Sequence, residues 1–219
     1  MPRTPDQLKM RPFYGFFHYI AATIHSMWFR GDVIGTGNLP GAGPYLIASN
    51  HASHLDPPMV GCQIAKQMRF FARKTLWSNR LMIWWLDQVE TIPVERDSGD
   101  IGAIKRVLLA LKEDRSVVLF PEGTRSPDGR LQKAKAGVGL MACKTGVPVV
   151  PCRVYGSFDA FGKGAKIPRF GVPITVVFGT PITPAEYDDP GAGKARYDVA
   201  AQRIMDRIAA LPLPAYPVI

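Results

Sequence analysis

Short apolar runs alternate along this chain with segments in which apolar residues recur every three or four positions. The short runs, many of them β-branched, end at turn-forming residues, which is typical of buried strands. We predict strands over residues 33–37, 45–49, 69–73, 90–94, 116–120, 147–154 and 174–178. The helical spacing predicts helices over residues 13–29, 58–66, 101–111, 136–145 and 197–211. Because strands and helices alternate, we expect a single α/β domain with a largely parallel central sheet flanked by helices.

The first predicted helix carries a broad apolar side along most of its length. This side consists of Phe13, Phe16, Phe17, Ile20, Ile24, Met27 and Trp28, and Tyr14, His18 and His25 fall on the opposite side. Lys9, Arg11 and Arg30 flank the helix, where cations would meet anionic lipid. The histidines interrupt a run that is borderline for crossing a bilayer, so we predict an amphipathic helix in the membrane interface through residues 9–30. A helix buried in the core is the alternative.

A formal net charge of +9 favours a polyanionic partner. Nucleic acid, an anionic bilayer and a phosphorylated substrate each meet that demand, so charge alone does not choose among them. We do not expect nucleic acid, because the basic residues are scattered and no nucleic-acid-binding motif is present. Three cysteines, Cys62, Cys143 and Cys152, stand apart among mostly apolar neighbours, which predicts reduced thiols in a protein that faces the cytosol.

The segment Asn50-His51-Ala52-Ser53-His54-Leu55-Asp56 directly follows a predicted strand. A carboxylate beside an imidazole fixes its tautomer and stabilises the imidazolium, so the second ring nitrogen can take a proton from a hydroxyl group. His51 and Asp56 are therefore candidates for a catalytic dyad. The alternative is a loop in which Asp56 caps the next helix and Pro57 occupies its first position, and both interpretations can hold together.

A second polar segment, Phe120-Pro121-Glu122-Gly123-Thr124-Arg125-Ser126, leaves the end of another predicted strand. Open α/β sheets bind ligands at such strand ends, and this one offers a guanidinium, a hydroxyl, a carboxylate and a flexible glycine. The planar fork of Arg125 suits the oxygens of a phosphate group, with a solvated loop arginine as the alternative. Glu122 is a candidate for orienting His51 or the hydroxyl of an acceptor, or for pairing with Arg125.

Together the two segments resemble the motifs of the glycerolipid acyltransferase family, which includes the 1-acylglycerol-3-phosphate acyltransferases and other lysophospholipid acyltransferases. Two weaker blocks agree with this resemblance: Lys74-Thr75-Leu76 with Ile92-Pro93-Val94-Glu95-Arg96-Asp97, and Val147-Pro148-Val149-Val150-Pro151. The resemblance covers residues 33–179. We therefore divide the chain into an N-terminal interfacial membrane helix, residues 1–32, and an acyltransferase domain, residues 33–219.

The resemblance implies transfer of a fatty acyl group from acyl-ACP (acyl-carrier protein) or acyl-CoA (acyl-coenzyme A) to the free hydroxyl of lysophosphatidic acid or a related lysophospholipid. It implies that His51 is the general base and that Asp56 orients it. The implied phosphate-binding residues are Lys74, Arg96, Glu122, Gly123, Thr124 and Arg125. Neither an acyl-enzyme nor a bound cofactor is implied. We expect a peripheral or monotopic protein on the cytoplasmic face of the cell membrane.

The chain departs from the family pattern after Lys74. Thr75 stands where relatives often carry a glutamate, and residues 78–86 replace the usual proline and small glycine, so the acceptor or its lipid contacts can differ. The segment 77–86 contains Trp77, Met82, Ile83, Trp84 and Trp85. These side chains are candidates for lining an acyl tunnel or for a second membrane contact, and an ordinary buried cluster is the alternative.

The remaining histidines and basic residues carry weaker signals. No Cys or His cluster around His54 shows zinc spacing, so we predict no metal site. Lys163, Lys166 and Arg169 form a basic patch that suits anionic lipid or an acidic carrier, although a solvated loop is favoured. The alternative functions are transfer to another acceptor such as a lyso-ornithine lipid or a glycolipid, a thioesterase-like hydrolase, and a non-catalytic basic membrane-binding protein.

Overall fold

A seven-stranded sheet forms the centre of the computed structural model, which describes residues 10–94 and 101–213. In chain order the strands are β1 (Asp32–Ile34), β2 (Leu46–Ser49), β3 (Arg69–Arg73), β4 (Ile92–Val94), β5 (Val117–Leu119), β6 (Val149–Tyr155) and β7 (Thr175–Phe178). They lie side by side in the order β1-β7-β6-β2-β5-β3-β4. Within this sheet β6 and β7 are antiparallel, and the other neighbouring pairs are parallel.

Helices cover both faces of the sheet. They are α1 (Pro12–Trp28), α2 (Asp56–Gly61), α3 (Arg80–Gln88), α4 (Ile101–Lys112), α5 (Ala136–Thr145), α6 (Ser157–Phe161), α7 (Pro184–Tyr187) and α8 (Arg196–Ala209). Short 3-10 turns lie at Thr36–Asn38, Lys74–Leu76 and Pro190–Ala195. One face packs against α4, α5, α7 and α8, and the other packs against α2 and the end of α1. The expectation of a single α/β domain with a largely parallel sheet flanked by helices is confirmed.

The central strand β2 is buried on both faces, as expected for a parallel strand with helices on either side. Leu46 and Ala48 belong to the core under α4, α5 and α8, whereas Ile47 belongs to the core under α2. Successive side chains of a strand point to opposite faces, so one unbroken apolar run serves two cores. This explains why β2 reads in the sequence as a continuous hydrophobic segment.

The strand predicted over 33–37 is wrong at its end, because β1 stops at Ile34. Gly35 follows with φ +76° and begins the turn Thr36–Asn38. A Cβ atom on Gly35 would lie 2.1 Å from the carbonyl oxygen of Phe178, so this close approach requires glycine. The strand therefore ends where the backbone approaches the last residue of β7.

The helix predicted over 58–66 is also wrong in its bounds, because α2 begins at Asp56 and ends at Gly61. The carboxylate of Asp56 accepts hydrogen bonds from the backbone N–H groups of Ala52 and Ser53, which folds the preceding loop back onto the start of the helix. Beyond Gly61 the chain continues in tight turns instead of helix. The other predicted strands and helices agree with the structure to within a few residues.

Helix α1 faces the domain with both polar and apolar residues: Ile24 packs against the core under α2, and His18 Nε2 donates to the carbonyl oxygen of Ile64. Tyr14 and His25 are buried, while Phe16, Tyr19, Met27 and Trp28 are exposed. The Nε2 atom of His25 donates to the carbonyl oxygen of Ile174 at 2.9 Å, and Gln63 Nε2 lies 3.1 Å from His25 Nδ1. Polar contacts thus hold α1 on the sheet and leave large apolar side chains outside. No helix of the described chain is long and apolar enough to cross a membrane. Lys9 lies outside the described residues.

Candidate active site

The two polar segments of the sequence meet at the carboxyl end of the sheet. The loop with His51 follows β2, and the loop with Glu122 and Arg125 follows β5. Strands β2 and β5 are parallel neighbours, so their ends lie at the same edge. The backbone N–H of His51 donates to Glu122 Oε1 at 2.9 Å, and the backbone N–H of Ser126 donates to the carbonyl oxygen of His51 at 2.7 Å. Two segments that are 70 residues apart in sequence therefore form one site.

The side chains of His51 and Asp56 form a buried pair. His51 Nδ1 lies 2.9 Å from Asp56 Oδ2, and the same oxygen accepts from the backbone N–H groups of Ala52 and Ser53, each at 2.7 Å. An ionised carboxylate only accepts hydrogen bonds, so Nδ1 carries the ring proton and Nε2 is left as a proton acceptor. The ring stacks on Phe120 with a centroid separation of 4.2 Å. Asp56 thus shapes the loop and orients the imidazole at once.

Glu122 contacts the main chain of the neighbouring loop. The residue is 2% exposed, Oε1 accepts from the backbone of His51, and Oε2 has no hydrogen-bond partner among the described residues. Burial in this environment raises the pKa of Glu122 to about 7. Within the part of the chain that is described, Glu122 forms no ion pair with Arg125 and no hydrogen bond with the imidazole. Its carboxyl group therefore holds the position of His51 through the backbone.

A cavity of about 880 Å³ opens beside the dyad, a volume typical of small-molecule sites. Most of its wall is apolar and comes from α1, α2, β3 and α3, with Phe17, Ile20, Met59, Phe71, Trp85 and Leu86 among its residues. At the end nearest the dyad the wall contains His51, His54, Thr124, Arg125 and Lys163. The cavity wall therefore combines a polar, cationic group of residues near the dyad with a larger apolar part.

His54 lies at the polar end of the cavity, near Arg125 and His51. Desolvation, the positive charge of Arg125 and the neighbouring His51 all lower the pKa of this exposed histidine. Desolvation is the largest of these causes and Asp56 acts in the opposite direction, so the positive charge of this end comes from the side chains of Arg125 and Lys163. The polar end of the cavity is thus suited to an anion.

Two of the other predicted phosphate ligands, Lys74 and Gly123, do not line the cavity. Lys74 is exposed on the turn after β3 and does not line the cavity, although Thr75 and Leu76 beside it do. Arg96 lies outside the described residues. Gly123 has φ +67°, and a Cβ atom there would lie 2.9 Å from the side chain of Lys135. The loop after β5 therefore needs glycine at this position.

The tryptophan-rich segment divides between the cavity and the surface. Trp85 lines the cavity and packs on Phe17 with ring centroids 4.2 Å apart. Trp84 is 48% exposed and packs on Phe13 at 4.8 Å, while Leu81, Met82 and Ile83 are also exposed. Helices α1 and α3 thus contribute residues to the cavity wall and expose large apolar side chains on their outer sides.

The cysteines of the described chain are free thiols, and burial raises the pKa of both Cys62 and Cys152 to about 12. Neither thiol is ionised at neutral pH, so neither is an activated nucleophile. Among the residues that the structure describes, no group of three or more His, Cys, Asp or Glu side chains is arranged to hold a metal ion. Three imidazoles line the cavity, those of His18, His51 and His54, and the His51 ring is the one hydrogen-bonded to the Asp56 carboxylate.

Comparisons with known proteins show which family this chain resembles. A model of the family described as Acyltransferase matches residues 30–155. The chain is 32% identical over 158 residues to the chloroplastic 1-acyl-sn-glycerol-3-phosphate acyltransferase BAT2 of Brassica napus, covering 69% of this chain and 46% of that protein. It is 31% identical over 137 residues to the 1-acyl-sn-glycerol-3-phosphate acyltransferase of Streptococcus pneumoniae, covering 60% and 50%. The chain therefore spans about half the length of these curated relatives.

A solved structure shares the fold. The crystal structure of the 1-acyl-sn-glycerophosphate (LPA) acyltransferase PlsC from Thermotoga maritima superimposes with a TM-score of 0.69 at 22% sequence identity. The match covers 92% of this chain and 81% of that one. The α/β architecture is therefore common to both proteins.

Proposed function

This chain belongs to the acyltransferase family, and we propose that it moves a fatty acyl group from acyl-ACP or acyl-CoA to the free hydroxyl of lysophosphatidic acid or a related lysophospholipid. One observation carries the proposal. The buried pair of His51 and Asp56 stands with Arg125 at the polar end of a largely apolar cavity of about 880 Å³. An acyl chain, a phosphate group and a hydroxyl that must lose a proton each find a matching environment there.

The proposed reaction is direct attack on the thioester. Nε2 of His51 accepts the proton of the acceptor hydroxyl as the hydroxyl oxygen bonds to the thioester carbon. The carbon–sulfur bond then breaks, and the leaving thiolate takes the proton back from the imidazolium. The carboxylate of Asp56, 2.9 Å from Nδ1, stabilises the imidazolium in between. The enzyme forms no covalent intermediate, in keeping with its buried, protonated thiols.

The phosphate of the acceptor is proposed to bind at the cationic end of the cavity. Arg125 can form paired hydrogen bonds to two phosphate oxygens, and the hydroxyl of Thr124 lines the same wall. Backbone groups at Gly123 are proposed to lie beside the phosphate. The contributions of Lys74 and Arg96 remain predictions from the family resemblance. Glu122 acts in this proposal by positioning His51.

The apolar patch on α1 and α3 is proposed to lie in the membrane interface. On α1 it contains Phe16, Tyr19, Met27 and Trp28, and on α3 it contains Leu81, Met82, Ile83 and Trp84. Large exposed apolar patches of this kind are rare on soluble surfaces, and interfacial tryptophan is favoured. The patch forms the outer side of the two helices whose inner residues line the cavity. A two-tailed product could therefore pass from the cavity into the bilayer on the cytoplasmic face.

The direct test is product analysis with the full chain. Purified protein would be offered lysophosphatidate, a lyso-ornithine lipid and a lysoglycolipid, each with labelled acyl-ACP and with labelled acyl-CoA, and products would be identified by mass spectrometry. We expect a labelled two-tailed phospholipid from lysophosphatidate. Product from the phosphate-free acceptors alone would overturn the acceptor assignment. Release of labelled fatty acid at the same rate with and without any acceptor would indicate a thioesterase instead.

A further inference from the structure

Lys163 lies on a loop that is tied directly to the loop of the dyad. Ser53 and Gly162 form an isolated antiparallel β-bridge, and Ser53 Oγ donates to the carbonyl oxygen of Phe161 at 2.7 Å. The backbone N–H of Ser53 is in turn bound by Asp56 Oδ2 at 2.7 Å. Gly162, the residue before Lys163, is therefore connected through Ser53 to the carboxylate of Asp56.

The backbone at Gly162 is closely packed. A Cβ atom there would lie 2.7 Å from the carbonyl oxygen of Phe158 and 2.9 Å from its ring, contacts too short for any side chain. The residue before Lys163 must therefore be glycine. This packing and the bridge to Ser53 determine where the lysine side chain starts.

Lys163 differs from the other basic residues of its loop. Its side chain is exposed and lines the cavity at the end with His51, Thr124 and Arg125, whereas Lys166 and Arg169 do not line it. Within the described residues, Lys163 and Arg125 are the lysine and arginine side chains of the cavity wall. The ammonium group of Lys163 forms no ion pair or hydrogen bond with the described part of the protein.

We infer that Lys163 is a second cationic ligand of the acceptor's phosphate, acting together with Arg125. This inference rests on the proposed function. A phosphate monoester carries close to two negative charges at neutral pH, and one guanidinium balances only one of them. Lys163 supplies the second positive charge from a separate loop, on the side of the cavity mouth where His54 and Phe161 lie. It also sets specificity, because a phosphate-free acceptor would leave this charge unmatched.

The test is a kinetic comparison with a soluble acceptor, short-chain lysophosphatidate, so that membrane binding does not enter. Lys163→Ala should raise KM for the acceptor by about 10- to 100-fold, the loss expected for a charge-assisted hydrogen bond. The kcat value and KM for the acyl donor should change little, since the dyad and the thioester are untouched. Lys163→Arg should recover most of the loss. Lys166→Ala, an exposed lysine of the same loop, is the matched control and should behave like the wild type.

A binding measurement separates this inference from the proposed reaction. Calorimetric titration of short-chain lysophosphatidate into the wild type, Lys163→Ala and Lys166→Ala gives Kd values without turnover. Weakened binding in Lys163→Ala alone supports the inference even if the wild type transfers no acyl group, a result that would refute the proposed reaction. Equal acceptor KM and Kd in all three proteins would overturn the inference. So would a rise in donor KM alone, or a loss confined to vesicle binding.

Discussion

The backbone N–H of His51 donates a hydrogen bond to Oε1 of Glu122, with 2.9 Å between the two atoms. The carboxyl group of the second motif thus holds the main chain of the first, while Asp56 holds the imidazole. A return bond from the backbone N–H of Ser126 to the carbonyl oxygen of His51 closes the connection at 2.7 Å. The loops after β2 and β5 are therefore joined by hydrogen bonds in both directions. A substitution in either loop should alter the geometry of the His51–Asp56 dyad.

His51→Ala should lower the rate of acyl transfer by about 10²- to 10⁴-fold, the contribution typical of a positioned general base. The check is the initial rate with labelled donor and lysophosphatidate. The unfolding transition and vesicle binding should be retained, because Asp56 keeps its two backbone hydrogen bonds in the variant. A rate within two-fold of the wild type would exclude His51 as the base.

Glu122→Gln should change how stability depends on pH. The pKa of Glu122 is about 7 in the folded protein and 4.5 for the carboxyl group in the unfolded chain, so the folded protein holds this proton more tightly. Its contribution to stability is complete below about pH 4.5 and is lost as pH rises through 7. From pH 5 to pH 8 the free energy of unfolding of the variant should gain about 1 to 3 kcal/mol relative to the wild type. Urea unfolding measures this, and a difference that is constant with pH would contradict it.

Trp84→Glu should weaken binding to anionic vesicles, with a small drop in the unfolding midpoint from the lost ring contact with Phe13. Trp84 is 48% exposed on the apolar patch of α1 and α3, so glutamate costs little in water and is unfavourable in the interface. Leu109→Glu is the matched control, because Leu109 is 57% exposed on α4, which packs on the opposite face of the sheet. Vesicle flotation compares the two variants. Equal effects of both would argue against docking through this patch.

Gly139→Ala should destabilise the protein by roughly 1 to 3 kcal/mol or more, as overpacking does in a well-packed region. A Cβ atom on Gly139 would lie 1.9 Å from the carbonyl oxygen of Tyr197, where α5 packs on α8. Gly137→Ala in the same helix is the control, since a Cβ atom there meets nothing within 4 Å. We expect it to stabilise the helix by about 0.5 to 1 kcal/mol. Chemical unfolding of both variants tests the pair, and similar losses would be inconsistent with the close approach.

Much of the fold could be predicted from local pattern. Apolar runs such as Leu46–Ser49 marked the strands, and Gly146, with φ +62°, ends α5 as its sequence position indicates. The errors occurred where contacts other than apolar packing decide the backbone. Gly35 turns because Phe178 passes close to it, and α2 starts early because Asp56 binds the loop before it. Neither contact is visible in the spacing of apolar residues.

The sequence by itself determined the alternation of strands and helices. It also determined the pairing of His51 with Asp56, because these residues are five positions apart, one in the loop after β2 and the other in the first turn of the next helix. Only the tertiary structure decided that β2 lies beside β5, that α1 turns its histidines inward, and that Lys163 reaches the cavity. Each of these depends on strand order and on packing between segments far apart in the chain. Local spacing carries no information about such contacts, because their energy arises only when the whole sheet is assembled.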